Sequence, residues 1–202
     1  WPYAFYRTPG VLDRLRDYDL VLTMVRPTPA GIMWMPLGYD PLVHRPFNVE
    51  SRCWGSVMVG THTSRKQVFA DAICPDVIAG NGWERMVSAL GMAVPNPEME
   101  DVLGPPTRTK AGYLFDYVLL MSQAQVVVNV HSDPNIGVTR LLFEHMACGF
   151  TITDEAPGVR EILGNALCAE VCFKTPSQAR DMVVYYKAHP AERTSLWEAE
   201  RK

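Results

Sequence analysis

Short apolar runs rich in β-branched residues alternate with helix-length amphipathic segments along most of this chain. The runs predict strands at Leu20–Met24, Ile32–Pro36, Val57–Gly60, Asp76–Ala79, Val126–Val130, Thr151–Asp154 and Ala169–Phe173. Apolar positions at helical spacing predict helices at Ser64–Ile73, Trp83–Gly91, Gly112–Gln123, Val138–Cys148 and Gly158–Leu163. From residue 55 onward the order reads β-α-β-α-β-α-β, the pattern of an α/β fold with a mostly parallel sheet flanked by helices. Ligands of such sheets sit beyond the carboxyl ends of the strands, where the strand order reverses. Residues that follow each strand are therefore the ones to inspect.

Two further helices close the chain. Thr175-Pro176-Ser177-Gln178 supplies an N-cap Thr, a Pro at the first helical position and a Gln three residues after the cap. That helix stops near His189, because Pro190 cannot continue it, and a second helix begins there. Residues 93–110 hold four prolines and no periodicity, which predicts a surface loop. Residues 25–52 are also proline-rich, so a domain boundary is expected near residue 50. Residues 1–50 then read as the end of a preceding domain plus a linker, and 51–202 as the ligand-binding domain.

Composition narrows the function classes. Across 202 residues, 48% are hydrophobic and 20% charged, enough to bury a core. A net charge of −3 gives no electrostatic reason to expect nucleic acid. No apolar run reaches the roughly 18 to 20 residues that span a bilayer. The opening WPYAFYRTPG has neither the basic start nor the apolar stretch of a signal peptide. Because the chain begins at Trp1 rather than Met, a trimmed or processed product is expected. The five cysteines, Cys53, Cys74, Cys148, Cys168 and Cys172, show no metal-type spacing, and buried reduced thiols fit a cytoplasmic protein.

The most informative stretch is VVVNVHSDPNIGVTRLLFEHMACGFTITDEAPGVREIL, residues 126–163. A buried strand runs into a turn-rich loop and then into a helix with a core stripe of Val138, Leu141, Leu142 and Met146. Backbone N–H groups at Asn135, Gly137, Val138 and Thr139 stand where a helix begins and can hold a phosphate. Glu144, a turn and a half further on, is placed to accept from the hydroxyls of a ribose. On spacing alone, Arg140 and Glu144 serve equally well as a surface ion pair. His131 directly follows a strand and is read either as a phosphate or sugar contact or as a loop histidine bonded to backbone. Gly60 ends another strand and leads into Arg65 and Lys66, which are either phosphate contacts or solvated first-turn residues. Trp83 is weighed between packing and a place near the base.

The run FEHMACGFTITDEAPGVREIL resembles a stretch of glycosyltransferases of the GT-B fold. That stretch reads (F/L)-E-A-x-A-C-G, two or three β-formers, (S/T)-D, a Gly turn and a further Glu. The matching positions are Phe143, Glu144, Ala147, Cys148, Gly149, Thr153, Asp154, Gly158 and Glu161. Arg140, Gly80-Asn81-Gly82-Trp83 and His189-Pro190-Ala191-Glu192-Arg193 are similar to the CgeB-like, spore-maturation branch of the group 1 transferases. The resemblance implies a Rossmann-like C-terminal domain that binds the diphosphate of a nucleotide sugar without a metal or other cofactor. It assigns Glu144 to the ribose, Gly137–Arg140 and one of Arg65 or Lys66 to the diphosphate, and Cys148 to packing. No catalytic residue follows from it, and the acceptor is unspecified. One departure stands out. Many group 1 transferases carry a second glutamate eight residues before the first, and here that position is Ile136.

Three functions compete. A nucleotide-sugar glycosyltransferase, or its donor-binding half with an N-terminal acceptor domain missing, accounts for the motifs above. A non-catalytic nucleotide-binding or assembly module derived from such an enzyme accounts for Ile136. A nicotinamide oxidoreductase needs a glycine fingerprint after the first strand. Its nearest match, Gly80-Asn81-Gly82-Trp83-Glu84-Arg85, follows the second strand and ends in a bulky Arg, which excludes it.

Overall fold

A computed structural model describes residues 22–23, 33–35, 38–46, 52, 54–80, 83, 117–135 and 137–201, with Arg140 described by its backbone. The described strands are β1 (Leu22–Thr23), β2 (Met33–Trp34), β3 (Trp54–Val59), β4 (Val77–Ala79), β5 (Ala124–Asn129), β6 (Thr151–Asp154) and β7 (Cys172–Phe173). The helices are α1 (Ser64–Ile73), α2 at residues 117–122, α3 (Arg140–Cys148), α4 (Val159–Val171), α5 (Pro176–Ala188) and α6 (Pro190–Glu200). The helix expected over residues 84–91, the loop over 93–110, residues 112–116 and the departure at position 136 lie outside the described residues.

Among the described residues β1 and β2 form a small parallel pair, and β3 to β7 form one sheet in the order β4-β3-β5-β6-β7, parallel throughout. The chain steps from β3 outward to β4, then crosses to the other side of β3 to place β5. The order therefore reverses between β3 and β5, and their carboxyl ends border the crevice that this topology opens to ligands.

Strand alternation explains why the sheet is covered on both faces. Met58, Val126 and Val128 point into a core built with Phe69 and Ile73 of α1 and Val183 and Tyr186 of α5. Val57, Val59 and Val127 point the other way, onto Tyr117, Val118 and Met121 of α2. A β-branched run buried on both sides is the signature of a parallel sheet.

One predicted strand is corrected. Residues 169–171 are helical, so only Cys172–Phe173 of the stretch Ala169–Phe173 is a strand. The preceding helix, predicted to stop at Leu163, continues to Val171 after a break at Gly164, which adopts φ 74°. Cys168 and Cys172 are four apart, a spacing that puts two residues on one side of either a strand or a helix. It therefore cannot choose between them. Here Cys172 caps the helix, and the two buried sulfurs lie 3.0 Å apart as thiols.

Candidate functional site at the carboxyl edge of the sheet

Gly60 leaves β3 with φ +132°, a conformation that favours glycine. Its carbonyl accepts a 2.6 Å hydrogen bond from the Trp83 indole, and a Cβ on Gly80 would stand only 2.2 Å from that same oxygen. Trp83 is 1% exposed, and His62 meets its ring edge to face. It packs and fixes the turn, and offers no open face to a base.

The turn delivers the chain into α1. Thr63 caps the helix by accepting from the N–H of Lys66. The buried stripe of α1 is Lys66, Phe69, Ala70 and Ile73, so a lysine occupies the first position of an otherwise apolar seam. Lys66 is 2% exposed, and its ammonium lies 2.6 Å from where a Cβ on Gly60 would be. It makes no ion pair or side-chain hydrogen bond with another described residue. Burial pushes its pKa below the usual lysine value, and the charge of Asp154 pulls it partway back. The solvated first-turn residue that the sequence allowed does not describe Lys66.

Arg65, on the neighbouring position, donates from Nη2 to Asp154 Oδ2 at 2.9 Å, while its Nη1 is buried without a partner. Asp154 ends β6 and is 2% exposed. Its Oδ1 accepts from the backbone N–H of His131 at 2.9 Å and lies 2.6 Å from His131 Nδ1. A carboxylate only accepts, so Nδ1 carries the proton of this contact. The opposite nitrogen, Nε2, is buried and unpaired. His131 thus bonds through both its backbone N–H and its ring to one side chain, Asp154 of the neighbouring strand, where the sequence allowed only backbone or ligand.

The loop from His131 to α3 is ordered by an Asx turn in which Asp133 accepts from the backbone and side-chain N–H groups of Asn135. Gly137 follows with φ +94°. Val138 is 3% exposed and its side chain belongs to the core, so only its backbone could serve a ligand. Thr139 is the N-cap of α3 but gives no side-chain cap, and the first turn carries no acidic residue. Among the described residues no hydrogen bond occupies the N–H groups of Gly137, Val138 or Thr139. Arg140 opens the helix, and Leu141 beside it comes within 3.6 Å of the Cβ position of Gly60. The start of α3 and the Gly60 turn therefore meet.

Glu144 is 5% exposed. Its carboxylate accepts from the Tyr117 hydroxyl at 3.3 Å and faces His44 Nε2 at 3.5 Å, a distance within ion-pair range though not aligned as a hydrogen bond. The open carboxylate expected of a ribose contact is covered in this arrangement. The next residue, His145, is fully buried with both ring nitrogens unpaired, and its ring lies tilted against Tyr117. Burial first, then the positive charges of Lys66, His131 and His44, push its pKa down to about 3. Cys148 packs at 0% exposure, its thiol pushed up to about 12 by burial and then by Glu144, as befits an inert core residue.

Asp154, His44, Tyr117 and His145 were not among the expected site residues. Asp154 had a signal, since it ends a predicted strand at the ligand edge. His44 had none, lying in a loop-rich segment 100 residues from the carboxylate it meets. Among the described residues no group of three or more His, Cys, Asp or Glu is arranged to hold a metal ion. No described helix is long and apolar enough to cross a membrane.

A buried lysine, a half-buried arginine and a buried histidine thus gather at the switch point of a parallel sheet, where such folds place their ligands. The sequence profile of the glycosyl transferase-like family matches residues 64–202, from the first residue of α1 to the end of the chain. The chain belongs to the glycosyl transferase-like family. Searching curated proteins finds no match to this transferase-like chain. The matched span takes in Arg65, Lys66, His131, Asp154 and all of α3, so the site belongs to the family's own domain.

Proposed function

We propose that this domain binds the diphosphate of a nucleotide sugar at the carboxyl ends of β3 and β5, as the donor side of a metal-independent glycosyltransferase of the CgeB-like branch. Lys66 carries the proposal. Its buried ammonium makes no ion pair or hydrogen bond among the described residues and is only partly compensated by the charge of Asp154. A polyanion entering the crevice supplies the rest, with Arg65 Nη1 and His131 Nε2 as further donors. The N–H groups at Gly137–Thr139 and the α3 dipole face the same place.

The chemistry follows from charge. When the glycosyl bond of the donor breaks, its electron pair goes to an oxygen of the β-phosphate. Fixed cations and amides placed there before the reaction stabilise that developing charge without reorganisation. Residues 51–202 form the donor-binding unit in this reading, and residues 1–50 precede it as linker and remnant of another domain. Glu144 reaches a ribose only if its carboxylate is released from partners that include His44 and Tyr117.

That covered carboxylate also favours a second reading, a nucleotide-binding or assembly module without transferase activity. Calorimetric titration with uridine, thymidine and guanosine diphosphates tests the donor site, and one of the three is expected to bind saturably. Binding followed by release of nucleoside diphosphate from the cognate sugar donor supports the enzyme, whereas binding without turnover supports the module. No heat from any of them, with the fold intact by circular dichroism, contradicts the site itself.

A further inference from the structure

Three donors at this edge converge on one acceptor. Asp154 takes the backbone N–H of His131 and its ring Nδ1 on Oδ1, and Arg65 Nη2 on Oδ2. The carboxylate is 2% exposed and accepts hydrogen bonds on both oxygens, so it does not itself meet an anionic ligand. The two side chains it holds each retain one buried nitrogen without a partner, Arg65 Nη1 and His131 Nε2. Buried donors are paired in the great majority of cases, and two orphans tethered to the same carboxylate are not a coincidence of packing.

We propose that Asp154 is a positioning residue of the donor site, holding His131 by Nδ1 and Arg65 by Nη2 so that Nε2 and Nη1 donate to the diphosphate. This rests on the diphosphate reading above. With Nδ1–H committed to Asp154, Nε2 is the only ring nitrogen left to face a phosphoryl oxygen, and a proton there places an imidazolium between two anions. The arginine fork is likewise fixed on one branch, which pre-orients the other. Asp154, not the ligand, sets which ring nitrogen of His131 carries the proton. A purely structural Asp154 would tie the ends of β5 and β6 together and affect stability alone.

Imidazole nitrogen NMR on the unaltered protein separates these roles, with His131 assigned by the loss of its signals in His131→Gln. Nδ1 is expected to be protonated both before and after titration with whichever of the three nucleoside diphosphates binds. Nε2 is expected to shift with the same saturation as the calorimetric heat. Asp154→Asn should weaken that binding about ten- to a hundredfold, the scale of lost charge-assisted hydrogen bonds. It should scramble the His131 tautomer, and Asp154→Glu should recover part of the affinity. A diphosphate that binds while Nε2 stays unmoved overturns the proposal and leaves the donor site standing. Wild-type affinity in Asp154→Asn does the same. Absence of binding by the unaltered protein removes both. If Asp154→Asn fails to fold, the titration of the unaltered protein decides alone.

Discussion

At the carboxyl edge of the sheet, buried polar atoms stand without partners, whereas in the C-terminal helices they are paired. Of eight unpaired buried side-chain atoms among the described residues, five belong to His44, Arg65, His131 and His145. In α5 and α6 the accounts close. Thr175 accepts from Gln178, whose side chain accepts from Lys174; the Tyr186 hydroxyl donates to Glu170; Arg193 donates to Tyr186; and the Trp197 indole donates to Met146. The exception there is Glu200, whose Oε2 accepts from Thr151 while Oε1 is unpaired. Burial raises that carboxyl well above its usual pKa. Two more unpaired atoms, Trp54 Nε1 and Gln123 Oε1, lie at the amino edge, so the unpaired atoms are concentrated at the carboxyl edge without being confined to it.

Acid should expose this difference most strongly. His145 has a folded pKa of about 3 against 6.5 for the ordinary group, so the unfolded chain binds the extra proton between those values. Its contribution to stability is complete above pH 6.5 and is lost as pH falls towards 3, on the order of 4 kcal/mol in all. Urea unfolding at pH 7 and pH 4 should show His145→Leu losing less stability than the unaltered protein by an amount approaching that figure. Equal losses in the two proteins would mean that the imidazole is hydrated, and the contrast between the regions would blur.

A smaller effect sharpens the comparison from the other side. Thr175→Ala removes the cap of α5 and should cost about 1 kcal/mol in urea unfolding. Its nucleoside diphosphate affinity should be unchanged, because among the described residues no hydrogen bond or ion pair joins α5 to Arg65, Lys66, His131 or Asp154. A weakened affinity would show that the paired region also sets the geometry of the site.

The parallel sheet was legible because its strands are β-branched runs buried on both faces, and β6 falls where Thr151–Asp154 was expected. The caps of α5 were legible because Thr175, Pro176 and Gln178 act within four residues. The helix past Gly164 was not, since Leu167, Cys168 and Val171 suit either period and the glycine reads as a stop. At the site, strand-end position pointed to Gly60 and His131. A lysine at the head of the Phe69-Ala70-Ile73 stripe was readable as buried, because residues three, four and seven apart share a helix face. The covering of Glu144 by His44 and Tyr117 was not readable, because it joins segments distant in sequence.

The central claim is that Lys66 is a buried cation, only partly compensated by Asp154, that an anionic ligand completes. Differential scanning calorimetry and nucleotide titration of Lys66→Met test it in one variant. Replacing a buried unpaired charge with an apolar chain of similar length should raise the melting temperature of the free protein. The same change should weaken nucleoside diphosphate binding about tenfold or more. A lower melting temperature together with undiminished binding would contradict the claim.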